Sequence, residues 1–230
     1  MSDDMTPLTD TRDMIYVHDV FRRAFADAPD QIASVNDGDV EHAQRAVSYL
    51  RDVLWLLHAH RSGEDELLYP LLVERAPVCA DLFSRMEAQH AAVAASLALA
   101  DQAAERFENS SSTDDGAALI AACRSVLDEV SSHLEQEELE VLPIAARTIT
   151  PEEWGALPGH VLSHYTGTRI WLLLGLVFEA MPDDLRAHVL ANVPAPVSEM
   201  WFLFGADAFS NEMGAIRAGA STLLLASGSA

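Results

Sequence analysis

Two stretches of the chain carry the same pattern of chemistry-bearing residues. The segments from His60 to Pro70 (HRSGEDELLYP) and from His133 to Pro143 (HLEQEELEVLP) both read H-x-x-x-E-x-x-x-x-x-P. A His and a Glu four residues apart lie about 6 Å apart along a helix axis and on the same face, so both side chains reach one point. The copies are offset by 133 − 60 = 73 residues, and two further histidines, His18 and His90, repeat that offset as 90 − 18 = 72. Two helical hairpins related by an approximate dyad follow from this internal repeat.

The elements that must position these residues are legible in the punctuation. Asn36-Asp37-Gly38 reads as a turn, the region from Pro70 to Pro77 as a second break, and Asn109 to Gly116 (NSSSTDDG) as a polar loop, with Pro143 and Thr150-Pro151 closing the run. Helices are expected over Asp10 to Ala33, Asp39 to Leu68, Pro77 to Phe107 and Asp115 to Leu142. Each carries apolar residues at steps of three and four. The stripes run through Met14, His18, Phe21 and Phe25; Leu57, His60, Glu64, Leu67 and Leu71; Met86, His90 and Val93; and Val130, His133, Glu137 and Ile144. Every stripe therefore contains a histidine, and two contain a glutamate.

Short connections make such helices run up, down, up and down. His18 and His90 lie near helix starts and His60 and His133 near helix ends, so all six residues fall in one layer at one end of an antiparallel bundle. A lone stripe histidine is usually a hydrogen-bonded core residue, and one H-x-x-x-E arises readily by chance. The coincidence of two matched motifs, two further histidines and a common layer is different. Buried without a partner, six ionisable groups are costly, and a cation removes the cost. Imidazole and carboxylate together suit iron, manganese or zinc, and carboxylates bridge two such ions in bundle cores.

At His18, His60, Glu64, His90, His133 and Glu137 the sequence resembles the hemerythrin family with its HHE cation-binding domain. The resemblance covers roughly residues 10–150. It implies an all-α, antiparallel up-down four-helix bundle holding two iron ions, oxo- or hydroxo-bridged, with manganese or zinc as lesser alternatives. It also implies the four histidines as terminal ligands and the two glutamates as bridges. The oxygen-carrying members have a fifth histidine one turn before the third-helix ligand, whereas this chain has Met86 there. Each iron then keeps an open position. That arrangement looks more like the bacterial hemerythrin-like proteins associated with peroxide, nitric oxide or iron handling than like an oxygen carrier.

Residues 151–230 are read as a helical C-terminal extension with pieces over Glu152 to Met181, broken near Pro158-Gly159, Asp183 to Asn192 and Val197 to Arg217. Trp154, Trp171, Trp201 and the run from Leu172 to Phe178 supply apolar surface for docking on the bundle or for a homodimer interface. The tail from Gly219 is expected to fray. His160 and His164, followed by Tyr165, are candidates for capping the metal pocket or for a second cation site. His42, His58 and His188 are read as solvent-facing. Asp65, Glu66, Glu135, Glu138 and Glu140 are read as a solvated face from which one group could support a ligand imidazole.

Composition sets the outer bounds. The chain of 230 residues has 36 acidic against 14 basic residues, all of them Arg, for a net charge of −22. Such a field repels nucleic acid and anionic membrane surfaces. Cys79 and Cys123 form no paired motif and read as small core residues of a protein in a reducing cytoplasm. The start, Met-Ser-Asp-Asp-Met, lacks a signal-peptide pattern, and the apolar stretch from Ile170 to Ala180 falls short of the ~20 residues that span a bilayer. The expected function is binding of, or reaction with, a small oxidant such as hydrogen peroxide, nitric oxide or dioxygen in stress defence, with an oxygen or iron sensor or store as the alternative.

Overall fold

The computed structural model describes residues 9–165 and 167–227. The acidic start and the last three residues lie outside that range. The described chain is all-helical. Its bundle is built from α1 (Arg12–Ala33), α2 (Val40–Gly63) with its continuation α3 (Tyr69–Arg75), α4 (Ala80–Ser110), and α5 (Thr113–Gln136) with its continuation α6 (Leu142–Thr148). Helix α1 packs on α2 and α5, and α4 packs on α2 and α5, which closes a four-membered ring.

Local chemistry sets the turns between them. Gly38 takes φ of 80°, a conformation that costs glycine nothing, and Asp39 then caps α2 by accepting from the His42 N–H at 3.1 Å. Between α4 and α5 the loop is only Ser111 and Ser112, shorter than the polar composition suggests. Ser111 is left-handed at φ 50°, and the Ser112 hydroxyl caps α5 through the Asp115 N–H. The two turns meet at the far end of the bundle, where the Gly38 N–H donates to the Ser111 carbonyl at 3.0 Å.

The prolines do not end the helices as the sequence suggests. Interior proline costs a helix about 3 kcal/mol, because it lacks an N–H and clashes with the carbonyl four residues back. Here the chain inserts a π-helical turn immediately before each, Glu64–Leu68 and Glu137–Val141. The Tyr69 N–H donates to the Glu64 carbonyl and the Leu142 N–H to the Glu137 carbonyl, five residues back instead of four. Helix continues through Pro70 and Pro143, and the true break in the second arm is at Ala76.

The extra residue per turn rotates everything beyond it. Continuing the stripe at helical spacing puts Leu67, Leu71 and Ile144 inside, yet these are only partly buried, while Leu68, Tyr69, Leu72, Val141, Leu142 and Ala145 are buried. Two hydrophobic clusters result within the bundle, besides a small third one in the C-terminal helices. The larger includes Phe21, Leu57, Val93 and Val130, and the smaller includes Met14, Leu68, Met86 and Val141. The order alternates along the chain, with the smaller cluster met first on α1 and α4 and the larger first on α2 and α5. That alternation is the antiparallel up-down arrangement expected from the sequence.

After α6 come α7 (Pro151–Trp154), α8 (Ala156–His164), α9 (Ile170–Ala180), α10 (Asp183–Asn192), α11 (Ala195–Met200) and α12 (Ala206–Ser227), with a third π-turn at Trp201–Gly205. Thr150 and Glu153 form a capping box at the start of α7, and Glu153 also takes a two-pronged ion pair from Arg75 at 2.6 Å. The break expected near Pro158-Gly159 instead falls at Gly155 and after His164, because α8 starts late enough for Pro158 to sit in its first turn. Helix α8 packs on α2, while α9 and α12 pack on α1. Leu172, Leu173 and Leu176 enter the larger cluster. Helical backbone continues past Gly219, where fraying is expected, to Ser227.

A second cation besides Arg75 ties this extension to the bundle. The Arg169 guanidinium donates to the Ser48 carbonyl at 2.8 Å and pairs with Asp52 at 2.5 Å and Glu212 at 3.1 Å. Arg169→Met leaves those acceptors without a charged donor. It should cost about 2 kcal/mol and open the link after His164 to protease; unchanged digestion kinetics would show that the other contacts of the extension hold it without Arg169. Among the described residues no helix is long and apolar enough to cross a membrane.

Candidate metal centre

The polar layer lies between the two hydrophobic clusters. His18 follows Met14 and precedes Phe21, and His90 stands between Met86 and Val93 in the same way. His60 with Glu64, and His133 with Glu137, fill the matching positions on α2 and α5. All six are buried, with Glu64 and Glu137 at 0 % exposure.

Within that layer the groups form two overlapping sets. His18, His60, Glu64 and Glu137 bring one nitrogen or oxygen each within 4.8 Å of one another, and so do Glu64, His90 and His133. Each glutamate reaches both sides. Glu64 lies 3.0 Å from His60 Nε2 through Oε1 and 3.4 Å from His90 Nε2 through Oε2. Glu137 Oε2 lies 3.5 Å from His18 Nε2 and 3.6 Å from His133 Nε2. The Nε2 atoms of His90 and His133 approach to 3.0 Å, and their rings meet edge to face. All four imidazoles thus turn Nε2 inward.

The outer nitrogens are held by neighbours. His18 Nδ1 meets Glu138 at 2.8 Å, His90 Nδ1 meets Asp65 at 2.6 Å, and His133 Nδ1 meets the Gln89 side-chain oxygen Oε1 at 3.1 Å. Asp65 and Glu138 each follow a site glutamate by one residue, so the internal repeat extends to them. One group of that acidic run is expected to support an imidazole and two do so, whereas Glu66, Glu135 and Glu140 are exposed. A carboxylate on Nδ1 fixes the tautomer and makes Nε2 the better ligand. Asp65→Ala and Glu138→Ala should each weaken metal retention about 10- to 100-fold, read by competition with a chelator; full retention in both would mean that the pairs are only structural.

The charges of the layer show what it requires. Burial alone would raise Glu64, but the His60 and His90 imidazoles reverse this and hold its carboxyl well below the usual carboxylate range. Glu137 goes the other way: burial, then the nearby Glu64 and Glu138 charges, push it well above. Burial, then His90, lowers His133 to about 3. Two carboxylates this close do not both ionise unless positive charge lies between them. Among the described residues, both oxygens of Glu64, both of Glu137 and the Nε2 atoms of His18 and His60 have no hydrogen-bond partner. Buried orphans of this kind are rare in folded proteins. Here they converge on common points, and the donor set fits a cation site.

Two residues complete the walls. Met86, one turn before His90, is fully buried beside Phe83 in the smaller cluster and closes that side with hydrocarbon. Tyr69 is absent from the sequence reading. The π-turn swings it inward against the His90 ring at 5.5 Å, with its hydroxyl facing the Glu137 carboxylate but without a full hydrogen bond. Burial, then the Glu137 and Glu64 charges, push the phenol up, so it keeps its proton. Its repeat mate is Leu142, which breaks the approximate dyad. The signal was the residue directly before Pro70, but reading it requires knowing that helix continues there.

Other expectations fall outside the layer. His58 is exposed on α2 as predicted, and His42 is half-buried. The His188 side chain lies outside the described residues. His164 is exposed, and Tyr165 packs on Trp55 with its hydroxyl accepting from the Arg169 N–H, so neither caps the pocket. His160 alone comes near, against Gly63, where a Cβ would meet its ring at 3.3 Å. Cys123 is fully buried, its thiol pushed up to about 12 by burial, and Cys79 is half-buried beside the smaller cluster.

Comparison with known proteins agrees with this geometry. A family model described as the Hemerythrin HHE cation binding domain matches residues 9–145, more than half of the chain and the whole of the polar layer. No curated protein and no solved structure matches it. With six buried ligand-type groups in one bundle layer and that match along the same helices, the chain belongs to the hemerythrin HHE cation-binding family.

Proposed function

We propose that the protein is a cytoplasmic non-haem diiron protein that binds or reacts with a small oxidant, hydrogen peroxide, nitric oxide or dioxygen, in oxidative or nitrosative stress defence. The observation that carries this reading is the pair of overlapping His/Glu sets sharing Glu64. In this reading His18, His60, His90 and His133 would be the terminal ligands, and Glu64 and Glu137 the carboxylates that hold both ions. Iron held there supplies the electrons exchanged with the oxidant.

The remaining work belongs to the chain. Asp65, Glu138 and Gln89 orient three of the imidazoles. Phe21, Phe83 and Met86 exclude water from the layer. Tyr69 holds a proton facing Glu137. Protein purified from iron-replete cells should contain two irons per chain, and peroxide or nitric oxide should change its visible spectrum. Iron-free protein from such cells, or a spectrum indifferent to all three oxidants, overturns the reading.

One observation favours a sensor or store instead. Helix α8 rests on Gly63, the residue before Glu64, and His160 lies 3.9 Å from Glu66 on the same π-turn. These contacts would give a change at Glu64 a route to the extension. Peroxide loss over many turnovers supports the enzyme. Stoichiometric binding with altered protease sensitivity beyond Pro151 supports the sensor.

A further inference from the structure

The helices after Pro151 do more than cover the bundle. Helix α9 is apolar on nearly every face, and its Leu174, Val177 and Phe178, with Leu157 and Val161 of α8 and Met181, wall a cavity of about 140 Å³, partly open to solvent, against α1 and α2. Its floor is His60 and Glu64, the edge of the cation site. The walls are almost entirely hydrocarbon. At one rim stands Asp13, whose Oδ1 already accepts from Trp154 Nε1 and the Met14 N–H, both at 3.0 Å. Val161 and Val177 keep part of their surface uncovered although they sit between packed helices.

Ordered water needs two to four polar partners, and these walls supply almost none. An enclosed apolar cavity of about 150 Å³ stays dry and takes up benzene, and this partly open one offers an apolar ring walls of the same kind. Hydrogen peroxide, which must keep its hydrogen bonds, gains nothing by entering. We propose that this chamber is a binding site for an apolar organic molecule of about one aromatic ring, held by the C-terminal helices against the His60 side of the layer. The site goes beyond the oxidant chemistry proposed above, and it stands whichever ion the six residues hold.

Toluene and bromobenzene are suitable probes on the intact, purified protein. Toluene followed by NMR should bind saturably, one per chain, with Kd of about 1 mM or tighter. Val161→Phe and Val177→Phe each place a ring in the chamber and should weaken that binding by about tenfold or more. Phe202→Ser, in the exposed Phe202-Leu203-Phe204 patch, should leave it unchanged. Bromobenzene should quench Trp154 at the rim saturably, and Trp154→Phe should lose that component, which needs no chamber-filling variant. Non-saturable uptake, equal toluene affinity in a folded chamber-filled variant, loss of binding in Phe202→Ser, or saturable quenching that persists in Trp154→Phe would each overturn the site.

Discussion

Glu64→Ala protein from iron-replete cells should retain less than about 0.5 iron per chain, whereas His133→Ala should retain about one. The difference follows from geometry. Glu64 belongs to both ligand-type sets, with one oxygen toward His60 and the other toward His90, so its loss opens both positions. His133 belongs to only one set, and its removal leaves His18, His60, Glu64 and Glu137 together. Metal analysis on both variants, with helicity checked by circular dichroism, decides the matter. Two irons retained in Glu64→Ala would show that Glu64 does not bridge, and the proposed assignment of roles would fail with it.

Removing the metal from the wild-type protein should lower its melting temperature by about 10 °C. A cation present at about a thousand times its dissociation constant stabilises the folded state by about 4 kcal/mol. In a domain of this size 1 kcal/mol corresponds to about 2–4 °C. The physical source is the set of six buried atoms on His18, His60, Glu64 and Glu137 that have no hydrogen-bond partner. Leaving one such atom unsatisfied costs about 1–3 kcal/mol, more when it carries charge. The metal-free fold is held by the hydrophobic clusters on either side, so it should melt lower rather than unfold at room temperature. Melting curves that coincide with and without a strong chelator would mean that the six groups satisfy one another without an ion.

The approximate dyad explains why the two halves behave alike in outline and differ in chemistry. Equivalent positions carry Asp65 and Glu138, each bound to a site histidine. They also carry Tyr69 and Leu142, a buried phenol on one side and hydrocarbon on the other. Gln89 supports His133, but its counterpart beside His18 is Val17, which offers no acceptor and instead lines the apolar chamber near His60. One flank of the layer is therefore rich in protons and hydrogen bonds, while the other faces the extension through hydrocarbon.

The six groups of the layer were readable from spacing because helical periodicity is a local property. A His and a Glu four apart share a face wherever that helix packs, and the repeat offset of 72 to 73 residues carried the second half. What spacing did not show was the effect of Pro70 and Pro143. Both read as helix ends, since proline lacks the N–H that the next turn requires, yet five-residue turns carry the helix through them. Those turns exchange Leu67, Leu71 and Ile144 for Leu68, Tyr69, Leu72 and Ala145 at the core. No window of sequence contains that shift, because it is stabilised by what the rotated residues meet on the other helices.

By itself, then, the order of amino acids determined four amphipathic helices and which of their residues lie level with one another, because both depend on steps of three and four along one chain. Tertiary structure alone decided that both Asp65 and Glu138 turn inward to the histidines, that Tyr69 joins the site, and that the last helices wall an apolar chamber beside it. Those outcomes depend on distances between segments far apart in sequence, such as α1 against α5 and α8 against α2. Such distances are set by how whole faces pack, a property that belongs to no single stretch of the chain.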